Sequence, residues 1–390
     1  MQDTYFDYAA ATPMSSKVKE AMSPYFSESF YNPSALYQPA RNIRKRIDVA
    51  RQVVAKQTGV LKSGVYFTAG TTEANNLLLN SLAQLYDKPR FIISAIEHES
   101  VSRPAELMAQ KGLIDLVVAP VDDQGRVDIV KIKDSINDST VLISVILVNN
   151  ETGVVQDLTG LKQHCEQVEL DRKQAGSNLP LLIHSDAAQA PGVMSLQLSR
   201  IGLDVASISA AKLYGPKQAA ALVCARPLEF VPLIAGGTQE RGVRAGTENV
   251  ANIVGLETAL KETAALRSQQ TRQLEDIQQL LESKLIDLYP DIIIHSSSAH
   301  RAPHISNIVI PGVTDGERLV MELDQRGYLA ATGSACTAGD GKPSSIIMAM
   351  SDDEQQAAAS LRLSFGRHTT TESIEGLIKN LSKIVEDGLV

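Results

Sequence analysis

Lys212 stands in the segment Ser207-Ile208-Ser209-Ala210-Ala211-Lys212-Leu213-Tyr214-Gly215-Pro216-Lys217, behind an apolar run and ahead of a Gly-Pro turn. A loop lysine is ordinarily a solvated charge, but Asp186 follows an earlier apolar run in the same way. The two types together match what pyridoxal phosphate requires. An amine condenses with its aldehyde, and a carboxylate keeps the pyridine nitrogen protonated so that the ring can accept electrons. Other reactive types occupy equivalent places: Gly70-Thr71-Thr72, Glu97-His98, Asn149-Asn150 and Gln189. Cys336 lies in Gly333-Ser334-Ala335-Cys336-Thr337-Ala338-Gly339-Asp340-Gly341, a glycine-rich stretch with little to pack. That setting predicts a mobile loop and a reactive thiol, whereas Cys165 in a helix and Cys224 in a strand read as buried structural thiols.

The elements that must position these groups alternate in the rhythm of parallel strands joined by crossover helices. Strands are expected at 65–68, 91–95, 116–119, 141–148, 181–185, 205–209 and 220–224, with helices such as 72–85, 100–110 and 161–170 between them. In an open sheet of this kind ligands bind beyond the carboxyl ends of the strands, so the polar residues above converge on one pocket. A long helical pattern covers 250–288. Shorter strands at 292–295, 305–310 and 361–365 then mark a smaller α+β unit. Thr369 and Glu372 read as a capping box for a last helix carrying Ile374, Leu377, Ile378, Leu381 and Ile384.

Composition narrows the class. With 390 residues, 44% hydrophobic and 21% charged, the chain is a globular protein of more than one domain. A formal charge of -8 argues against direct DNA binding, which needs clustered Lys and Arg. Three cysteines without C-x-x-C spacing form neither a disulfide framework nor a zinc site, and imply a reducing compartment. No apolar run is long enough to cross a membrane and no signal peptide is evident, so the expected location is cytoplasmic.

Several stretches, in order and spacing, resemble the cysteine desulfurases of the class V aminotransferase fold, in their housekeeping and nitrogen-fixation branch. They are Tyr5-Phe6-Asp7-Tyr8-Ala9-Ala10-Ala11-Thr12-Pro13, Thr68-Ala69-Gly70-Thr71-Thr72-Glu73-Ala74-Asn75-Asn76, Glu97-His98 and Val148-Asn149-Asn150-Glu151-Thr152-Gly153. Further on come His184-Ser185-Asp186-Ala187-Ala188-Gln189, Tyr214-Gly215-Pro216-Lys217, the segment from Gly236 through Arg244-Ala245-Gly246-Thr247, and Gly333-Ser334-Ala335-Cys336-Thr337. The resemblance implies an α/β protein of fold type I: a large cofactor-binding domain (15–255) with a mostly parallel seven-stranded sheet, and a smaller α+β domain (1–14 and 256–390) carrying the cysteine loop.

It also implies roles. Lys212 would hold the pyridoxal phosphate and move the substrate's α-proton, with Asp186 on the ring nitrogen. His98, a residue type that titrates near neutrality, would lie over the ring and assist proton transfer. Gln189 would bond the ring oxygen and Asn150 would lie alongside the ring edge. Gly70, Thr71, Thr72 and Ser209 would hold the phosphate at a helix N-terminus, joined by Thr247 from the other subunit of a homodimer. Arg362, a charge within a strand-like run, needs an anionic partner, and the resemblance makes that the carboxylate of L-cysteine, aided by Asn32. Cys336 would take the substrate sulfur as a persulfide, releasing L-alanine and passing sulfur to an acceptor protein for iron-sulfur cluster assembly or tRNA thiolation.

Three positions depart from the pattern: Ala211 where histidine is common, Gln38 in place of another histidine, and Tyr31 in place of glycine. A selenocysteine lyase or another enzyme of the same fold would share Lys212, Asp186 and Arg362, and only the Cys336 loop separates it. A catalytically weak sulfur-handling partner or scaffold would be favoured by Ala211 alone.

Overall fold

The computed structural model describes residues 4–333 and 343–388. After the short strand β1 (Thr4–Tyr5), seven strands form one sheet: β2 (Val65–Thr68), β3 (Arg90–Ser94), β4 (Asp115–Ala119), β5 (Thr140–Ser144), β6 (Leu182–Asp186), β7 (Val205–Ser209) and β8 (Ala220–Cys224). Their order is β2-β8-β7-β6-β5-β3-β4, with only β8 antiparallel to its neighbours. This is the mostly parallel α/β sheet that the sequence predicts.

Every residue of β5, β6, β7 and β8 is buried. A strand turns alternate side chains to opposite faces, so these wholly buried strands need cover on both sides. Phe91, Ile93, Leu142 and Leu182 join one core, beneath the helices Thr71–Leu85 and Glu99–Gln110. Their neighbours Ile92, Ile143 and Ile183 join the other, packed by the helix Gln38–Thr58 and the start of Val250–Leu288. Cys165 and Cys224 are buried in these cores, where desolvation pushes both thiols up to about 12 and makes them poor nucleophiles.

A second, three-stranded sheet has the order β12-β10-β9 and is antiparallel, from β9 (Ile293–Ile294), β10 (Ile305–Val309) and β12 (Leu361–Ser364). Strand β1 pairs in parallel with β11 (Tyr328–Leu329). The closing helix Thr371–Glu386 buries Ile374, Leu377, Ile378, Leu381 and Ile384, the stripe read from the sequence. Its capping box, however, is Thr370 with Ser373. Thr369 is buried one residue earlier, and its hydroxyl accepts the Gly366 N–H at 3.0 Å, so it is committed to the preceding turn.

The helix Val250–Leu288 spans both units. Ala251, Ile253, Leu256, Ala259 and Leu260 belong to the large sheet's core, whereas Leu274, Ile277, Leu281 and Leu285 belong to the core of the small one. The expected boundary at 255/256 therefore falls within a continuous helix.

Candidate active site

The carboxyl ends of β2, β3, β5, β6 and β7 open on one edge of the sheet. Chain order reverses between β3 and β5, which leaves the crevice where α/β sheets take their ligands. A cavity of about 160 Å³ lies there, lined by Thr71, His98, Asn150, Asp186, Gln189, Lys212 and Arg362 among others. The segments that follow β2, β3, β5, β6 and β7, the N-terminal residues Ala9 and Ala10, and the strand β12 all contribute to it.

Lys212 ends a short turn after β7, and its Nζ donates to the carbonyl of Ala10. The N-terminal segment shapes this turn. Thr12 donates from both its backbone nitrogen and its hydroxyl to the Ala211 carbonyl, each at 3.0 Å, and its hydroxyl accepts the Tyr214 N–H at 2.7 Å. Tyr214 adopts φ 60°, a left-handed conformation that this clamp must hold in place.

Asp186 closes β6 and is 4% exposed. Its Oδ1 accepts the Ala188 N–H at 3.0 Å, and its Oδ2 accepts from Asn75 Nδ2 at 2.9 Å. Gln189 donates to the Ala9 carbonyl at 2.9 Å, and its Oε1 lies 3.2 Å from His304 Nε2. His98 caps the helix Glu99–Gln110: its Nδ1 accepts the Ser100 N–H at 3.0 Å and lies 2.9 Å from the Ser100 hydroxyl. Beside it Glu97 is fully buried, receiving Ser94 Oγ and the Ile146 N–H at 2.7 Å each. Burial foremost, with the nearby Asp186 charge adding to it, pushes its carboxyl up to about 8.

Asn150 reaches the cavity because the chain runs on past β5. Val145 and Leu147 keep backbone bonds to β6, although the regular strand ends at Ser144 rather than at Val148 as expected. Asn149 then turns the chain, its Oδ1 accepting the backbone N–H groups of Glu151 and Thr152 at 2.9 Å each. Gly153 at φ 77° completes the reversal.

Arg362 is 1% exposed on β12. It donates to Asp7 Oδ1 at 2.7 Å and to the Asn150 carbonyl at 3.2 Å, so the anion that its burial demands is found within the chain.

The helix Thr71–Leu85 starts at Gly70 without a side-chain cap, behind β2, and aims its first N–H groups at the same edge. Gly70, Thr72 and Ser209 flank the cavity without lining it, and Thr72 is exposed. Thr247 lines a different cavity of about 270 Å³, fixed by the buried pair of Arg51 and Glu240 and by Arg244 on Glu73. Asn32 is exposed, and its Oδ1 accepts the Ser34 N–H at 2.9 Å; the structure does not bring it to the Lys212 cavity. Cys336 lies outside the described residues.

These groups fit pyridoxal phosphate. A buried carboxylate and an amine share one small cavity, an uncapped helix start faces it, and Asn150 Oδ1 and Arg362 Nε are buried there without hydrogen-bond partners among the described residues. Asp7, Thr12, Asn75, Glu97, Ser100, Asn149 and His304 also build the site. All but Ser100 and His304 fall inside the motifs quoted above, and Glu97 and Asn149 stand among the polar residues picked out after apolar runs, whereas the types of Asp7, Thr12 and Asn75 did not set them apart from turn or core residues.

Comparison with known proteins agrees with this geometry. The family model for aminotransferase class-V matches residues 4–377. A cysteine desulfurase IscS of Dictyoglomus turgidum is 32% identical over 387 residues, 99% of this chain and 95% of the relative. A solved structure described as a NifS-like protein superposes with a TM-score of 0.88 at 27% identity, over 99% of this chain and 100% of the other. A structure of SspA in complex with cysteine gives a TM-score of 0.80 at 30% identity, over 94% and 99%. From residue 4 to residue 377 the chain belongs to the class-V aminotransferase family, whose members depend on pyridoxal phosphate.

Proposed function

We propose that the protein is a pyridoxal phosphate-dependent cysteine desulfurase that converts L-cysteine to L-alanine and passes the sulfur to Cys336. The observation that carries this reading is one cavity that gathers Lys212, Asp186, His98, Gln189 and Arg362 at the carboxyl edge of the sheet. Bound there, the cofactor supplies an aldehyde carbon that joins amines and a protonated ring that takes up electrons from the substrate's α-carbon.

Asp186 would hold the proton on the ring nitrogen and Gln189 would bond the ring oxygen, with Asn150 lining the same cavity. The open helix start at Gly70, Thr71 and Thr72, together with the Ser209 hydroxyl, holds the phosphate, and Thr247 reaches the phosphate of a second copy in a homodimer. Arg362 keeps a second hydrogen on each terminal nitrogen beyond those given to Asp7 and Asn150, enough to receive a substrate carboxylate. Asn32 assists it. Lys212 Nζ would remove the α-proton, and His98, lining the same cavity, would assist proton transfer. The Cys336 thiolate then attacks the substrate sulfur. A sulfur–sulfur bond forms as the carbon–sulfur bond breaks, the carbon keeps the electron pair and takes a proton, and the balance is L-cysteine plus thiol to L-alanine plus persulfide.

Residues 15–255 act as the cofactor-binding domain, and 1–14 with 256–390 as the small domain carrying Cys336. Among the described residues no helix is long and apolar enough to cross a membrane, and we place the protein in the cytoplasm, serving a sulfur-acceptor protein. The test is alanine and sulfide release from L-cysteine with a reductant. Wild type loaded with pyridoxal phosphate should turn over while Cys336→Ala does not; full activity in Cys336→Ala would refute the persulfide step.

A further inference from the structure

Two cavity groups, His98 and Asp186, are joined by residues that have no part in the reaction described above. Asn75 is fully buried on the helix Thr71–Leu85, and Ser100 is buried in the first turn of the helix Glu99–Gln110. Asn75 Nδ2 donates to Asp186 Oδ2 at 2.9 Å and to Ser100 Oγ at 2.8 Å, which uses both of its hydrogens. The reverse amide orientation would set Asn75 Oδ1 against the Asp186 carboxylate. Because Ser100 Oγ accepts from Asn75, its own hydrogen is free to point at His98 Nδ1, 2.9 Å away. The Ser100 backbone N–H, which cannot reverse, also donates to that nitrogen at 3.0 Å. Nδ1 is thus an acceptor twice over, and the neutral ring carries its proton on Nε2.

We propose that Asn75 and Ser100 are positioning residues: they carry a directed line of hydrogen bonds from Asp186 to His98, fixing the imidazole as its Nε2–H tautomer. The inference rests on reading His98 and Asp186 as the two groups that face the cofactor. In its neutral state His98 then offers a hydrogen-bond donor, not an acceptor, at Nε2. The carboxylate assigned to the ring nitrogen and the imidazole assigned to proton transfer thus share one polarised network.

The test reads ring nitrogens rather than turnover, so its outcome is independent of the reaction assigned above. The cofactor-loaded protein is labelled with 15N-histidine, and the His98 signals are identified among the seven histidines by their loss in His98→Gln. Wild type should show a protonated Nε2 and an unprotonated, hydrogen-bonded Nδ1. Ser100→Ala should move the Nδ1 resonance toward that of a free acceptor while the absorption of the bound cofactor stays put, and Ser100→Thr should restore it. Asn75→Ala should move both the Nδ1 resonance and the cofactor absorption, because it lies between the two groups. A proton on Nδ1 in wild type overturns the proposal whatever the variants do to folding, and so does an Nδ1 resonance unmoved in Asn75→Ala.

Discussion

Arg362 shows how a single residue is both read and misread from sequence. A cation among strand residues required an anion, and the chain supplies Asp7 at 2.7 Å, a residue in a quoted motif but with no visible link across more than three hundred positions. A substrate carboxylate bound there, as proposed, would therefore share the guanidinium with Asp7, and a planar fork would be needed to serve both. Arg362→Lys should raise KM for L-cysteine about tenfold or more, since one bidentate charge-assisted contact contributes roughly 1.5–3 kcal/mol. Absorption of the bound cofactor should be retained. Steady-state kinetics beside a spectrum decides it, and an unchanged KM would remove Arg362 from substrate binding. Lys212, Asp186, His98 and Gln189 were legible because each is a reactive type following an apolar run. Asn75 and Ser100 were not, because an amide and a hydroxyl in helix-start segments look like caps until three dimensions link them to Asp186.

At the level of elements, most of the large sheet was legible: 65–68, 205–209 and 220–224 agree residue for residue with β2, β7 and β8. Unbroken apolar runs bounded by polar residues leave little alternative in a chain of this length. The end of β5 was not legible, because Val145 to Val148 remain apolar and buried after regular pairing stops. What ends the run is Asn149, 0% exposed, whose Oδ1 also meets the Thr152 hydroxyl at 3.2 Å and whose Nδ2 donates to the Ile96 carbonyl at 3.2 Å. Asn149→Ala should cost about 1–3 kcal/mol by leaving buried N–H groups unpaired. It should also weaken cofactor retention, because Asn150 is placed by that turn. Urea unfolding together with cofactor release measures both, and loss of neither would show the turn to be held by Gly153 alone. The capping box was displaced by one residue for a related reason: Thr369 and Thr370 are chemically alike, and only the Gly366 turn distinguishes them.

Across the whole molecule, four buried groups set a pH profile for stability. Burial lowers His184, His295 and His304 to about 4, so the unfolded chain takes up their protons first as pH falls through 6.5, and the stability they confer above 6.5 is lost toward 4. Glu97 runs the other way. Its folded carboxyl is raised to about 8, so the folded protein holds the proton longer and loses stability as pH rises from 4.5 to 8. Below 6.5 the three histidines outweigh the one acid, and above it the acid acts alone, at about 1.4 kcal/mol per pH unit. Calorimetric Tm should therefore peak near pH 6.5, and Glu97→Gln should flatten the decline from 6.5 to 8; an equally steep decline in the variant would show that the fall has another source. The helix Val250–Leu288 bears on a different matter, the inheritance of segments. No residue from Ala264 to Gln273 is buried, so neither core claims that stretch. A chimera that changes parent there, with a second joint after the N-terminal strand that brings Phe6 to the small sheet's core, would swap hydrophobic neighbourhoods whole. Neither core would then have to pack side chains of two ancestries, which makes this middle stretch of the helix, outside both cores, a natural seam for recombination among relatives.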